Sequence, residues 1–417
     1  MNWIDSTISR IRNLKTFESF KNPAYRMFFL GMIGQWGSFS MEMVARTYLT
    51  YEITNSAAML GVLSLANALP MLALSLFGGA IADRLPKKQL IQVSQIAMAA
   101  VFLGTGITIN VGYLNAAHPE SWWVLMVGGV VMGAILALAM PSRQAIIPEI
   151  IDREKLMNAI SLNTLGMSVF QLAGPAIAGY VIHGFGYATA YYVMAALNAV
   201  AVIFTSFLPQ TGPSRTLRTG ILTDISQGFS YIVKHKTIRI LLLFMIASVL
   251  LSMPFQMLMP IFAKDILKVG VAGQGTLMSV SGLGALVASL TMASLPSKRR
   301  GITFLLSNVL MGAALVAFAF SVSWPLSLGM MAIVGIGRIG NNTTGTALLQ
   351  SHADAEYLGR VMSIMMLNFG LSSLGTFFAG ILAESISAQW AIGSFALLLI
   401  GISFMSIIFL PRLKNLN

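Results

Sequence analysis

Twelve apolar runs, each about as long as a bilayer is thick, follow one another along this chain with short polar breaks between them. An α-helix needs about 20 apolar residues to cross the hydrocarbon core. A backbone in lipid must also satisfy its hydrogen bonds within the protein. Helices are therefore the expected element throughout. The runs fall at 26–51, 57–82, 89–110, 122–140, 157–182, 187–208, 238–263, 271–295, 302–322, 325–349, 361–383 and 390–410. Composition agrees: 56% of the 417 residues are hydrophobic and 10% charged, against about 25% charged in a soluble domain.

The net charge of +12 would suit nucleic acid, but its placement argues for a lipid bilayer and against that partner. The N-terminal segment, every second loop and the tail hold 22 of the 26 basic residues. The opposite loops hold Lys264 and Lys268, and Arg46 and Arg338 lie inside runs. Basic loops stay in the cytoplasm, so both termini are expected there, in a multi-pass membrane protein with an even number of spans. Met1 to Lys21 is polar and basic and does not read as a signal peptide.

A repeat divides the chain. Ala145, Asp152, Glu154, Leu156, Ser161 and Leu165 recur 202 positions later as Ala347, Asp354, Glu356, Leu358, Ser363 and Leu367. Each copy closes one apolar run and opens the next. The domain reading is a cytoplasmic segment at 1–25, a six-helix bundle at 26–208, a linker at 209–237, a second six-helix bundle at 238–410 and a cytoplasmic tail at 411–417. Part of the linker, 223–234, has the pattern of an amphipathic surface helix. Two like halves facing each other across a bilayer are the usual architecture of a secondary transporter.

Other chemistry is poorly served. There is no cysteine, hence no thiolate metal site, and the four histidines, His118, His183, His235 and His352, are expected in loops. No metal and no cofactor are expected. No phosphate-binding Gly-x-x-x-x-Gly-Lys-Ser/Thr loop is present. A membrane enzyme would need clustered acids, histidines or nucleophiles within the runs, so the chain is not read as an enzyme.

The loop after the second run reads Gly79-Ala-Ile-Ala-Asp83-Arg84-Leu-Pro86-Lys87-Lys88. It resembles the signature loop of the major facilitator superfamily, with Pro86 in place of the usual second glycine. Asp83 sits at a helix C-terminus, where the backbone dipole disfavours an anion. It needs a partner, either the basic cluster or the N-terminus of a helix in the other half. The resemblance implies the latter, a cytoplasmic gate built on Gly79, Asp83, Arg84, Lys87 and Lys88. The fifth run carries Gly174-Pro175-Ala-Ile-Ala178-Gly179, similar to the Gly-Pro-x-x-Gly-Gly motif of the superfamily's antiporters. Residues 141–159, Asn22-Pro-x-Tyr-Arg26 and Tyr51-Glu52-x-Thr54-x-Ser56 resemble the branch holding macrolide-efflux and siderophore-exporting proteins. The fold implied is all-α, with twelve transmembrane helices in two pseudo-symmetric six-helix bundles, in a bacterial cytoplasmic membrane.

Ionisable residues within runs mark a pathway or a partner. Gln35, Phe39, Glu42 and Arg46 recur at helical spacing on the first run, and Glu42 and Arg46 can pair. Two readings stand open: Glu42 faces the pathway and carries a coupling proton or receives a cationic substrate, or the pair is structural. Arg338, alone in the tenth run, shares a stripe with Asn342 and needs an acceptor. The candidates are Glu42, an anionic substrate and backbone carbonyls near the bend that Pro254 and Pro260 predict in the seventh run. Trp36, Phe39, Gln256 and Met257 would line an adaptable cavity. The function read from all this is a proton-coupled exporter, an antiporter that moves amphipathic small molecules or drugs by alternating access and works as a monomer. A dedicated siderophore or lipid exporter, an uptake carrier, and a membrane receptor or structural protein are the alternatives.

Overall fold

A computed structural model describes residues 15–210, 221–294, 299–354, 356–366, 368–414 and 416, the side chains of 15–16, 76–84, 221–226, 293–294, 363, 366, 369 and 411–412 excepted. The chain folds into helices: α1 Pro23–Thr54, α2 Ala57–Arg84, α3 Lys87–Asn110, α4 Trp123–Ile150, α5 Leu156–Ser206, α6 Ile221–Lys234, α7 Lys236–Ser252, α8 Pro254–Ile261, α9 Gly270–Ser294, α10 Arg300–Ala319, α11 Trp324–His352, α12 Leu358–Met366, α13 Asn368–Ser385 and α14 Ala388–Phe409.

Among the described residues, eight segments are long and apolar enough to cross a membrane. One of them, Arg153–Ser206, folds back at Gly186, whose φ of 83° favours glycine, and so makes two passes. Three more passes fall below that apolar standard: α1 and α11, which carry the polar residues singled out above, and α12 with α13, which is divided into two shorter helices. The total is the twelve passes expected. His183 is one departure: it lies inside α5 rather than in a loop, because the turn waits for Gly186.

Local chemistry sets the helix ends. Asn22 caps α1, its side chain accepting from the N–H groups of Ala24 (2.9 Å) and Tyr25 (3.3 Å), with Pro23 at the first helical position. The Asn22 amide also donates to the Ile150 carbonyl at 2.9 Å, and the Tyr25 hydroxyl donates to the Ala159 carbonyl at 2.7 Å. The motif around Asn22 thus ties α1 to the end of α4 and the start of α5. The internal repeat recurs as geometry. Ile151 and Ala353, 202 apart, are extended caps after α4 and α11. Lys155 N–H donates to Asp152 O and Tyr357 N–H to Asp354 O, both at 2.9 Å. Leu156 and Leu358 open α5 and α12.

The helices run alternately between two ends, here the near end, which holds the starts of α1 and α7, and the far end. At the near end the apolar core is split. One cluster (Tyr25, Phe28, Ile146, Leu208) is confined to the first half, and another (Tyr231, Leu242, Phe304, Leu348) to the second. At the far end the clusters cross between halves: Tyr51, Ala57 and Leu60 pack with Phe255, Phe318 and Ala379, and Ala263 and Val271 pack with Tyr48 and Ile182. Two helix pairs form the seam, α5 with α9 and α2 with α13. Leu172 of α5 packs on Gly282 of α9, whereas Leu165, two turns nearer on the same face, is 47% exposed. Among the described residues, the halves are closed together at the far end and parted at the near end.

Helix α6 appears as the linker pattern predicts. The Tyr231 ring stacks on Tyr357 (4.3 Å between centroids), and the Asp354 N–H donates to the Tyr231 hydroxyl at 2.9 Å. The linker helix is thereby fastened to the second half.

Candidate functional site

Helix α1 is enclosed along most of its length: from Gly31 to Tyr51, only Ile33, Phe39 and Met43 are not buried. At about 100° per residue, Phe39 lies about 40° to one side of Gln35 and Glu42 about 20° to the other. The edge of the enclosed surface falls between them. Phe39 is 43% exposed, facing open space. Glu42 and Arg46 are 5% and 8% exposed, turned into the first bundle. Gln35 is buried with them and donates to the Met98 sulfur of α3 at 3.3 Å. Trp36 is buried too, edge-on to Phe29 and against Gly166 of α5. The stripe read from the sequence therefore divides between a bundle interior and an open face.

Glu42 Oε1 lies 2.6 Å from Arg46 Nε. Room for the guanidinium comes from α4: a Cβ at Gly129 would lie 2.6 Å from Arg46 Nη1. Beside the pair is a cavity of about 10 Å³ lined by Glu42, Arg46, Phe102, Thr105, Met132 and Tyr191, room for about one water. The Tyr191 hydroxyl and Arg46 Nη1 are buried there without a hydrogen-bond partner among the described residues. Tyr191 went unnoticed in the sequence, since a tyrosine in an apolar run gives no local signal.

Arg338 is half-buried, its Nε without a hydrogen-bond partner among the described residues. Asn342, one turn on, is exposed. The nearby polar network of α11 points elsewhere: the Asn341 amide donates to Ser248 Oγ (2.5 Å) and Asn308 Oδ1 (3.0 Å). Gln256 and Met257 of α8 are half-buried. The bend expected there is the α7–α8 junction at Met253. Pro254 has no N–H, so the Leu250 carbonyl loses its helical donor, and Gly375 of α13 packs directly on that carbonyl.

The antiporter-like motif divides by task. Gly174 lies against Ser40 of α1 inside the first half. Pro175 and Gly179 form the seam: the Pro175 carbonyl meets Gly275, and a Cβ at Gly179 would lie 2.7 Å from the Val271 carbonyl. The Ala176 N–H donates across the seam to Ser279 Oγ at 3.1 Å.

Of the signature loop, the side chains of Gly79, Asp83 and Arg84 lie outside the described residues; the backbone places them in the last turns of α2. Lys87, 3% exposed, pairs with Glu149 of α4, and Lys88 Nζ donates to the carbonyls of Ser206 (2.8 Å) and Leu208 (2.6 Å). Both lysines bind within the first half.

Polar contacts across the far end were not foreseen. The Tyr51 hydroxyl donates to Asp265, and Lys264 sits over the Tyr51 ring at 5.2 Å. Gln274 donates to Thr47 Oγ1 at 3.0 Å, and Glu384 reaches the start of α2. Tyr51 and Ser56 belong to a motif already picked out, which was the available signal.

Residues 27–376 and 256–415 match the sequence model described as Major Facilitator Superfamily. A Staphyloferrin A transporter of Staphylococcus aureus is 24% identical over 361 residues, 85% of this chain and 87% of that protein. Multidrug efflux pump Tap of Mycolicibacterium fortuitum is 25% identical over 409 residues, 95% of this chain and 98% of that protein. Among solved structures, a peptide transporter POT superposes with a TM-score of 0.74 at 13% identity, over 94% of this chain and 95% of that one.

Proposed function

The chain belongs to the major facilitator superfamily, and within it we propose a proton-coupled exporter of amphipathic small molecules that works by alternating access. Residues 26–208 and 238–410 are the two rocking bodies, joined by the linker 209–237, with 1–25 and 411–417 flanking them in the cytoplasm. Near-end basic residues support that orientation, which makes the near end cytoplasmic. One chain holds both halves, so a monomer suffices. Similarity to an efflux pump supports the outward direction.

The observation that carries the coupling role is the enclosed Glu42–Arg46 pair beside a cavity that a water fits. Protonating Glu42 releases Arg46 and changes the charge inside the first bundle. Substrate is held elsewhere, on the open face that bears Phe39, with Gln256, Met257 and Asn342 from the second half.

Reconstituted vesicles with an imposed pH gradient and ethidium, an aromatic cation, test this. Glu42→Gln is expected to abolish gradient-driven ethidium movement while leaving exchange at equal pH intact. Undiminished gradient-driven movement would remove Glu42 from coupling.

A second reading has one observation in its favour. Arg338, with its Nε unpartnered beside exposed Asn342, suits a carrier dedicated to a carboxylate-bearing solute. Under that reading Arg338→Gln abolishes anion transport, and ethidium is not carried at all.

A further inference from the structure

Helices α2 and α13 meet across the two halves, and they are antiparallel. Gly380 of α13 packs on Ala57, Phe377 on Gly61, and Gly370 on Leu72, so the numbering rises on one helix as it falls on the other. The C-terminal end of α13 therefore lies beside the N-terminal end of α2.

At the far end this juxtaposition is bridged by an acid. Glu384 is the next-to-last residue of α13. Its Oε2 accepts from the Ala57 N–H (2.6 Å), the Ala58 N–H (3.1 Å) and the Ser56 hydroxyl (3.0 Å). Ser56 Oγ in turn accepts from the Met59 N–H at 3.3 Å. The first N–H groups of a helix have no partner within it, and the backbone dipole there favours an anion. The second half thus supplies a carboxylate cap that α2 itself lacks. On its own helix the same carboxylate sits at the unfavourable, C-terminal end, which deepens its preference for the partner.

We propose that Glu384 is the far-end gating residue: its cap on α2 holds the halves in the far-closed arrangement and must break before the far end opens. Asp83 of the signature loop is likewise next to last on its own helix, α2. Rocking brings one end together as it parts the other, so the Glu384 cap and the Asp83 gate that the family resemblance implies would close in turn. The proposal rests on the rocking-carrier reading, but its readout is a distance distribution and needs neither substrate nor proton gradient. Its failure is therefore separable from failure of the transport reading.

The chain has no cysteine, so two can be introduced without background. Val111, after α3, and Val322, before α11, are 70% and 76% exposed at the far end, in opposite halves and away from the latch. Spin labels at Val111→Cys and Val322→Cys, with distances measured by pulsed electron resonance, report far-end opening. Glu384→Ala is expected to raise the far-open to far-closed ratio about tenfold, the scale of coupling between two global states. Glu384→Gln, which keeps an acceptor oxygen and loses the charge, should give a smaller rise in the same direction. Asp83→Asn should lower the ratio. An unchanged distribution in both Glu384 variants, with melting temperatures unchanged, would overturn the latch. Should Glu384→Ala fail to fold, Glu384→Gln and Ser56→Ala carry the test by the same readout. A fall or no change with Asp83→Asn separates reciprocal latches from a single one, and no change overturns the reciprocal half.

Discussion

Gly179 is where a single methyl group should distinguish a moving seam from ordinary helix packing. A Cβ added there would lie 2.7 Å from the Val271 carbonyl oxygen and 3.0 Å from Ala272 Cα. Both are backbone atoms of α9, so no side chain can swing aside. Ordinary contact begins at 3.4 Å, so α5 and α9 must part by about 0.7 Å, an overpacking that costs about 1–3 kcal/mol. The cost arises only while the far end is closed. Gly179→Ala should therefore raise the far-open to far-closed ratio about 5- to 150-fold, read with the labels on Val111→Cys and Val322→Cys. Two glycines of the same helix provide controls. A Cβ on Gly184 meets nothing within 4 Å, so Gly184→Ala should leave the ratio unchanged. A Cβ on Gly174 overlaps Ser40 within the first half, so Gly174→Ala should lower the melting temperature without moving the ratio. Equal behaviour of Gly179→Ala and Gly184→Ala would refute the reasoning, because the difference rests wholly on the seam.

Other outcomes follow from single contacts. Arg46→Ala leaves Glu42 buried without its cation and should cost about 3–5 kcal/mol in thermal unfolding; the double variant Glu42→Leu/Arg46→Met should recover most of that stability without recovering gradient-driven transport. Lys87→Met breaks a pair whose other member is one-third exposed, so a smaller loss of about 1–3 kcal/mol is expected in the same melt. Phe39→Ala removes an exposed ring and should change melting by under about 1 kcal/mol while narrowing the range of aromatic solutes moved in vesicles. Tyr231→Ala removes the stack on Tyr357 and the acceptor for Asp354, and should speed amide exchange in α6 about tenfold or more.

What the sequence made legible was whatever local pattern controls. Runs of membrane length became the passes, the repeat reappeared as the same turn and the same helix start, and Pro254 marked the break in its helix. The placement of α1 was harder. Its four-residue stripe is about 60° wide, and a boundary between enclosed and open surface passes through it, so period alone assigned Phe39 and Glu42 to one environment. The far-end latch lay beyond reach for a different reason. Glu384 and Ala57 are 327 positions apart, and the motif that holds Ser56 marks one side of the contact without pointing to Glu384. Lys87 and Lys88 stood in a motif that implied a gate, yet in this far-closed arrangement they fasten α3 to α4 and to the end of α5.

The division of α1 bears on how coupling can work at all. If Glu42 lay on the open face, proton and substrate could exclude each other by direct contact. Enclosed as it is, Glu42 in the proposed coupling role can influence the open face at Phe39 only through the helix both share and the helices packed on it. Arg46 rests on α4 at Gly129, and Ser40, two residues before Glu42, rests on α5 at Gly174. Gly174 lies one residue before Pro175, whose carbonyl meets the second half at Gly275. A change of charge at the pair therefore has a short packed route to the seam, about half a helical turn of α1, the Ser40–Gly174 contact and a peptide link. The antiporter-like motif stands at that junction, with Gly174 on the side of the ion pair and Pro175 and Gly179 on the side that opens.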